Sequence, residues 1–449
     1  MTFRSGFNYL ADKDNRGVWN TSPGFLNFSP PKFPVPLQAQ INDYMKIHRP
    51  LAQAVVQALA AIFREGKHAD KVIERVLKSN PKWGSRDRAF IAENVYECVR
   101  WRRLLVALAG DVPQFGKEND GVLARMLGVN LILAKTELPA WEEFAGLDAA
   151  AVFREKEKLE SAGDRKVLQS IPDWLDETGA AELGSAWDAE LAALNQMAPI
   201  VLRANTLKIK RDELAAMLRQ RGWEAGCTDL SPDALVLERR GNVFVSPMFK
   251  NGFFEVQDAG SQCIAPFLQV KPGMRVVDAC AGAGGKTLHL AALMQNKGSI
   301  TALDTEFRKL EELRRRARRN GAHIVQARHI ESTKTIKRLH GTADRLLLDV
   351  PCSGLGTLRR NPDAKWKRSP DFLESVKATQ AQILRDYSKM LRPGGMMVYA
   401  TCSILPSENE QQVARFLTEN PAFHLQAERW ISPAKEGFDG FYMALMARE

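Results

Sequence analysis

The sequence of 449 residues lacks any apolar run near the ~20 residues that a membrane-spanning helix requires, so we expect no membrane contact. Cysteine is scarce as well. The six cysteines are Cys98, Cys227, Cys263, Cys280, Cys352 and Cys402. They lie far apart, with no C-x-x-C pair and no histidine at ligand spacing, which indicates neither a zinc site nor a disulfide framework. We therefore expect no metal, and a reducing, cytoplasmic environment.

A secretory signal is also missing, because the polar run Asp12-Lys13-Asp14-Asn15 interrupts the N-terminus before an apolar segment can form. An organelle-targeting segment or a misassigned start stays open as an alternative for this stretch. Residues 1–49 are rich in proline, asparagine and phenylalanine, which predicts extended or poorly ordered chain.

What the sequence does have is positive charge, with a formal net charge of +10. Such a charge suits a polyanionic partner, because neutralising phosphates releases counterions and so drives binding to nucleic acid. The content of 45% hydrophobic and 26% charged residues is that of an ordinary globular protein, and the length predicts two or three packed units. We expect a monomer.

Residues 50–197 are predicted to form a helical domain, because apolar positions recur at helical spacing without an intervening strand pattern. One long helix is expected from Arg86 to Leu105, with Ser85 as its N-cap and Gly110 as its end.

Residues 198–256 predict a small α+β unit, with strands at 200–205, 234–237 and 243–245 and a helix at 210–221. From residue 257 to 449 strands and helices alternate. This order predicts an α/β domain with a doubly wound, mostly parallel sheet, whose ligands bind at the carboxyl ends of the strands.

A glycine-rich turn follows the first strand of this domain, which ends at Asp278. The turn consists of Cys280, Ala281, Gly282, Ala283, Gly284, Gly285 and Lys286. A phosphate-binding P-loop would need glycine at Cys280, and a dinucleotide fingerprint would need glycine or alanine at Thr287. The next strand ends in Asp304, whose carboxylate can accept hydrogen bonds from ribose hydroxyls. With both phosphate motifs excluded, we predict S-adenosylmethionine as the cofactor.

Two further strands end near cysteines, namely Cys352 and Cys402, each in a loop with proline, serine or glycine. A thiol beside a methyl donor fits alkylation at C5 of cytosine. That carbon is a poor nucleophile until a thiolate adds at C6. The two thiols should face one crevice, because strands of a parallel sheet end at the same edge.

The runs around these cysteines, Asp344 to Trp366 and Tyr399 to Glu410, resemble the Pro-Cys and Thr-Cys-Ser motifs of the Nop/Sun family of RNA (cytosine-5) methyltransferases. The nearest branch is the bacterial Sun/Fmu type, which acts on 16S ribosomal RNA. The resemblance covers Leu51 to Arg448. It implies a Rossmann-like methyltransferase domain, preceded by a small α+β unit and an all-helical, NusB-like domain that binds RNA.

The resemblance also implies roles for four residues. Cys402 is the nucleophile that forms a covalent adduct with C6, and Cys352 helps to release the product. Asp349 holds the N3 or amino edge of the base, and it borders the cofactor. Lys286 orients the base.

Two positions depart from the family pattern. Ala283 stands where the family usually has proline, which should cost only rigidity of the turn. His329 stands where the family has an aspartate that contacts the adenine amino group. His329 is therefore the candidate for this contact.

Two basic segments are candidates for binding structured RNA, and ribosomal RNA is the expected partner. One is a predicted helix that carries Arg308, Lys309 and the run Arg314 to Arg319, for which a solvated face is an equal alternative. The other surrounds Trp366 and contains Arg359, Arg360, Lys365, Lys367 and Arg368. For this second segment we predict phosphate contact and base stacking.

Two other functions stay open. A non-catalytic RNA-binding assembly factor could retain the fold, but it would not need Cys352, Cys402 and Asp349 together. A DNA cytosine-5 enzyme would use the cysteine of the Pro-Cys motif as its nucleophile. Substituting each cysteine separately distinguishes the three functions.

Overall fold

The structure is a computed structural model that describes residues 47–110 and 118–449. Residues 1–49 were predicted to be extended or poorly ordered, and residues 1–46 of this segment lie outside the described residues. The first described part is helical. Its helices are α1 (Arg49–Phe63), α2 (Ala69–Ser79), α3 (Ser85–Arg100), α4 (Arg102–Leu108), α5 (Asp120–Leu133), α6 (Ala149–Ala162), α7 (Arg165–Leu168), α8 (Asp173–Leu183) and α9 (Trp187–Leu194).

The long helix expected from Arg86 to Leu105 is instead two helices, α3 and α4, which meet at Trp101. Its ψ angle of 20° lies outside the helical range, and so the helix breaks there. The predicted cap is also wrong. Gly84 is the N-cap, and its N–H donates to the Asp87 carboxylate (2.9 Å), while Ser85 is the first helical residue.

The second part is a small α+β unit. Its elements are β1 (Val201–Ala204), α10 (Arg211–Arg219), β2 (Ala225–Cys227), β3 (Ala234–Leu237), α11 (Pro247–Lys250) and β4 (Phe254–Val256). The strands form an antiparallel sheet in the order β2-β3-β1-β4. The strand predicted at 243–245 is wrong, because these residues form a short 3-10 turn. Asn242 caps this turn by accepting the N–H of Phe244 (3.2 Å), which leaves the side chains of Phe244 and Val245 exposed.

The third part contains a seven-stranded sheet in the order β10-β11-β9-β8-β5-β6-β7. Its strands are β5 (Arg275–Asp278), β6 (Ser299–Asp304), β7 (Val325–His329), β8 (Ala343–Asp349), β9 (Leu391–Thr401), β10 (Phe423–Ile431) and β11 (Phe441–Arg448). The five strands from β5 to β9 pair in parallel, and β10 and β11 add an antiparallel hairpin at one edge. The fold prediction of a mostly parallel sheet is confirmed.

Helices cover both faces of this sheet. They are α12 (Ala259–Gln262), α13 (Ile264–Phe267), α14 (Gly285–Leu293), α15 (Phe307–Asn320), α16 (Thr333–Lys337), α17 (Ala364–Lys367), α18 (Pro370–Tyr387), α19 (Glu410–Glu419) and α20 (Pro433–Glu436). No helix among the described residues is both long and apolar enough to cross a membrane. The central strands are buried on both faces, as expected for parallel strands between helices.

The parallel register brings the predicted site residues to one edge of the sheet. Asp278 ends β5, and Asp349 ends β8 beside Ala400 of β9. Asp304 ends β6 next to His329, which ends β7. The two cysteine loops, the glycine turn and the three acidic strand ends therefore share one crevice.

Candidate active site

The glycine turn owes its shape to residues without a side chain. Gly284 has a φ angle of +87°, and a Cβ there would lie 2.7 Å from Cγ of Leu313, so only glycine fits. A Cβ at Gly282 or Gly285 would meet no atom within 4 Å, which means that bare backbone borders open space. The turn thus offers peptide groups to a ligand at the start of α14.

Asp304 is tied to this turn. One oxygen of its carboxylate accepts the N–H of Gly282 (2.8 Å), and the other accepts the N–H of Glu306 (2.8 Å). The side chain is held in place at the mouth of the turn and is only partly buried. This is the position from which a carboxylate can reach the hydroxyls of a ribose.

Asp278 is buried, whereas Cys280, like Asp304, is only partly buried. The carboxylate of Asp278 accepts a hydrogen bond from the hydroxyl of Thr287 (2.7 Å). Burial raises the pKa of this carboxyl to about 7. Burial also raises the pKa of the Cys280 thiol well above its ordinary value. Cys280 therefore stays protonated and is unsuited to nucleophilic attack.

His329 lies beside Asp304, as the resemblance implied. Its Nε2 atom is 2.9 Å from the carbonyl oxygen of Thr305, and its ring meets the edge of Phe307 with centroids 5.9 Å apart. Both contacts hold the imidazole at the rim of the crevice. A contact of His329 with the cofactor stays a prediction.

The two cysteines of the motifs lie in direct contact. The Sγ atoms of Cys352 and Cys402 are 2.9 Å apart, and the N–H of Cys402 points at Sγ of Cys352 (3.3 Å). The hydrogen bond with Cys402, and then burial, raise the pKa of the Cys352 thiol well above its ordinary value. Since Cys352 holds its proton, it can donate a hydrogen bond to a thiolate at Cys402.

An ion pair joins the glycine turn to the end of β8. Nζ of Lys286 donates to Oδ2 of Asp349 (2.6 Å), and it lies 5.8 Å from the ring centre of Phe441. Burial alone would lower the pKa of Lys286, but the Asp349 carboxylate raises it above its ordinary value. Lys286 therefore carries a fixed positive charge in the same crevice as the two thiols.

Sequence reasoning missed the buried polar group beneath the cysteines. Glu408 is fully buried, and its carboxylate contacts the loops of both thiols through Ser353 and Ser403. In the sequence, Glu408 is only one residue of the run from Tyr399 to Glu410 that resembles the Thr-Cys-Ser motif. No spacing rule connects it to Cys352, which precedes it by more than fifty residues.

Comparisons with known proteins identify the family. A family model described as 16S rRNA methyltransferase RsmB/F matches residues 265–446, and a model of the RsmF/B-like ferredoxin-like domain matches residues 171–244. The probable ribosomal RNA small subunit methyltransferase B of Synechocystis is 32% identical over 404 residues, covering 84% of this chain and 90% of the relative. The chain belongs to the RsmB/F methyltransferase family.

Solved structures agree with this fold. The crystal structure of PH0851 superposes with a TM-score of 0.75 at 24% identity and covers 90% of this chain and 100% of its own. A methyltransferase homologue from Pyrococcus horikoshii has a TM-score of 0.58 at 27% identity, covering 64% of this chain and 99% of its own.

Membership of the RsmB/F family confirms several predictions made from the sequence. The protein is an S-adenosylmethionine-dependent methyltransferase, and the match to the ferredoxin-like domain at residues 171–244 overlaps its small α+β unit. The predicted domain bounds stay predictions. No cluster of acidic, histidine and cysteine side chains able to hold a metal occurs in residues 47–110 and 118–449.

The segment around Trp366, which we call the basic loop (residues 359–368), corrects a prediction. Its cations were expected to contact RNA, but Arg359 and Lys365 are buried in this RsmB/F methyltransferase. Arg360 pairs with Asp258 and Asp439 (2.7 and 2.6 Å), and Trp366 donates its indole N–H to the carbonyl of Val99 in α3 (2.7 Å). The loop joins the catalytic domain to the helical domain, because its side chains also bond to groups of the helical domain such as Val99 and Asn195.

The N-terminal cations show the same arrangement. Arg100 is buried and donates to the carbonyls of Leu358 and Arg359 (3.4 and 3.0 Å), and Arg102 is buried against Glu118. Both guanidinium groups therefore serve contacts within the protein. The helix α15, which we call the basic helix, is different. Arg308, Lys309, Arg315 and Arg318 are exposed on it.

Proposed function

We propose that this methyltransferase transfers a methyl group to C5 of a cytosine in structured RNA, with ribosomal RNA of the small subunit as its substrate. One observation carries the proposal. Two thiols, of Cys352 and Cys402, lie 2.9 Å apart at the ends of adjacent parallel strands, beside the glycine turn and the Lys286–Asp349 ion pair. The names of the relatives support the choice of RNA, since they are ribosomal RNA small subunit methyltransferases.

The residues around the glycine turn fit the cofactor. The backbone from Cys280 to Lys286 would line it, with Gly282 and Gly285 next to open space. Asp304 would accept hydrogen bonds from its ribose hydroxyls, His329 would face its adenine, and Asp349 would border its reactive end. When bound, S-adenosylmethionine supplies an electrophilic methyl group.

The chain's own groups would act as follows. The Cys402 thiolate adds to C6 of the base and turns C5 into a nucleophile that can accept the methyl group. Asp349 holds the N3 and amino edge and shares a proton with N3, which relieves the negative charge that addition at C6 places on the ring.

Cys352 would act in the second half of the reaction. Once the sulfur of Cys402 is bonded to C6, it no longer takes part in the hydrogen bond with the Cys352 thiol, and the proton of Cys352 passes to solvent. The Cys352 thiolate then takes the proton from C5. The electron pair of that C–H bond restores the C5–C6 double bond and expels the Cys402 thiolate.

The helical domain (residues 50–197) and the α+β unit (198–256) would orient RNA over the catalytic domain (257–449), in the cytoplasm and as a monomer. The net charge of +10 supports a polyanionic partner.

Substituting the cysteines tests the proposal. Cys402→Ala should abolish methylation and the covalent adduct with RNA that contains 5-fluorocytosine. Cys352→Ala should still form the adduct but resolve it slowly, so that a denaturation-resistant complex with unmodified RNA accumulates. The double variant should lose that complex. The exposed Cys227→Ala is the matched control and should behave as the wild type.

Each alternative gives a different pattern. An adduct that survives Cys402→Ala and disappears in Cys352→Ala would indicate the assignment of DNA cytosine-5 enzymes. A protein that binds RNA but never methylates it, whichever cysteine is present, would indicate a non-catalytic assembly factor.

A further inference from the structure

The carboxylate of Glu408 lies beneath the two cysteine loops and has no exposed surface. Four donors surround it. They are the N–H of Ser353 (2.8 Å), the side-chain amide of Gln380 (3.0 Å) and the hydroxyl groups of Ser353 and Ser403. No lysine, arginine or histidine among the described residues forms an ion pair with Glu408, so hydrogen bonds alone stabilise this buried group.

Two of these donor residues are the direct neighbours of the two cysteines. Ser353 follows Cys352 directly, and Ser403 follows Cys402 directly. One side chain thus joins the two residues next to the thiols. The backbone of Glu408 is fixed as well, because the hydroxyl of Tyr399 donates to its carbonyl (2.7 Å).

The helix α18 contributes a further side chain, Gln380, to the contacts of Glu408. Gln380 is fully buried and donates to the carbonyl of Pro351 (3.0 Å) as well as to Glu408. The loop of Cys352 is therefore held at Pro351 and at Ser353, on both sides of the thiol. The two cysteine loops also contact each other directly, because the Ser353 hydroxyl lies 3.3 Å from that of Ser403 and the N–H of Gly356 donates to the carbonyl of Cys402 (2.9 Å). Glu408 adds a carboxylate that contacts Ser353, Ser403 and Gln380 together.

We propose that Glu408 is a positioning residue that, through Ser353 and Ser403, holds the two thiols in hydrogen-bond contact and so keeps their roles apart. This inference rests on the proposed function, in which Cys402 attacks and Cys352 resolves. In the contact between the thiols, a Cys352 that keeps its proton can donate a hydrogen bond to the sulfur of Cys402. The negative charge of Glu408 also raises the pKa of Cys352, after the larger effects of Cys402 and of burial.

Glu408→Gln tests this inference. The amide keeps the shape of the side chain, and its oxygen can still accept from the N–H of Ser353. Its NH₂ group, however, replaces the oxygen that accepts from the hydroxyls of Ser353 and Ser403, so both charge-assisted bonds that fix the two loops are lost. A displacement near 1 Å at a reacting group costs on the order of 100-fold in rate. We expect kcat to fall by about that factor, while the cofactor affinity measured by calorimetry stays unchanged.

A second readout separates positioning from a merely structural role. Glu408→Gln should accumulate the covalent complex with unmodified RNA, as expected for Cys352→Ala, because the adduct forms but is resolved slowly. Ser353→Ala and Ser403→Ala each remove one hydroxyl and should show smaller effects in the same direction. Glu410→Gln is the matched control, since Glu410 contacts the exposed Trp430 and not the thiol loops.

Three outcomes overturn the inference. One is a normal kcat for Glu408→Gln. Another is a loss of activity that matches the loss of protein able to bind cofactor, with no trapped complex. The third is a variant that forms no adduct at all, not even with 5-fluorocytosine RNA. If Cys402→Ala stays active, the proposed function itself fails, whatever Glu408→Gln does.

Discussion

The basic loop and the basic helix both follow a strand that ends at the catalytic edge, yet their cations have different surroundings. In the loop, Arg359 and Lys365 are buried, and Arg360 sits between two buried carboxylates. In the helix, the arginines alternate between contacts with the protein and contacts with solvent. Arg316 reaches Glu255 and the carbonyl of Ala283, whereas Arg308 is exposed. A run of positive charge therefore does not by itself indicate a nucleic-acid surface, because domain interfaces also use cations to satisfy buried oxygens.

The largest effect is expected from Arg360→Ala in the basic loop. The substitution leaves the buried carboxylates of Asp258 and Asp439 close together without a cation, and breaking such a pair costs about 3–5 kcal/mol. Chemical denaturation measures the free energy of unfolding. Arg360→Met combined with Asp258→Asn and Asp439→Asn should recover most of the loss. A change below about 1 kcal/mol for the single variant would contradict a stabilising role of Arg360 between the two carboxylates.

Arg316→Ala in the basic helix should have an intermediate effect. Glu255 keeps Arg319 and Asn320 as partners, so the loss is that of a charge-assisted hydrogen bond, about 1.5–3 kcal/mol. The carbonyl of Ala283 also loses its donor, and we therefore expect weaker cofactor binding in calorimetry. The neighbouring Arg315 pairs only with Glu312 at the surface, and Arg315→Ala is the control with less than about 0.5 kcal/mol of change. Equal effects of the two substitutions would refute this distinction.

These contrasts show what the sequence can predict. The strand β6 ends at Asp304 and the helix α15 carries Arg308 to Arg319, as predicted, because a strand and an amphipathic helix are local patterns. The strand predicted at 243–245 failed because three apolar residues are too few to fix a strand, and the cap from Asn242 is enough to turn the chain. The antiparallel hairpin of β10 and β11 was not predicted either.

The environment of the basic loop could not be read from the sequence for a different reason. Arg360 meets Asp258 and Trp366 meets Val99, and these partners are 102 and 267 residues away along the chain. Whether a cation is buried depends on such distant partners. The thiol pair was predictable because parallel strands end at one edge, whereas the links of Glu408 to both loops depend on how the chain folds between them.

The smallest effect on stability, and the most informative for RNA binding, is expected from Arg308→Ala. Arg308 is exposed in the first turn of the basic helix, directly after the strand that ends at Asp304, and it has no ion-pair partner within the described ranges 47–110 and 118–449. A cation at a helix N-terminus opposes the helix dipole, so its removal should leave the free energy of unfolding unchanged or raise it by about 0.3–1 kcal/mol.

A residue that costs stability but faces the catalytic edge is suited to contact phosphate. The slope of log affinity against log salt for RNA should fall by roughly one. Arg318→Ala, at the far end of the same helix and therefore at the opposite edge of the sheet, is the matched control and should leave the slope unchanged. If both variants leave the salt slope as it is, the basic helix is a solvated face like any other, and the RNA surface lies elsewhere on the molecule.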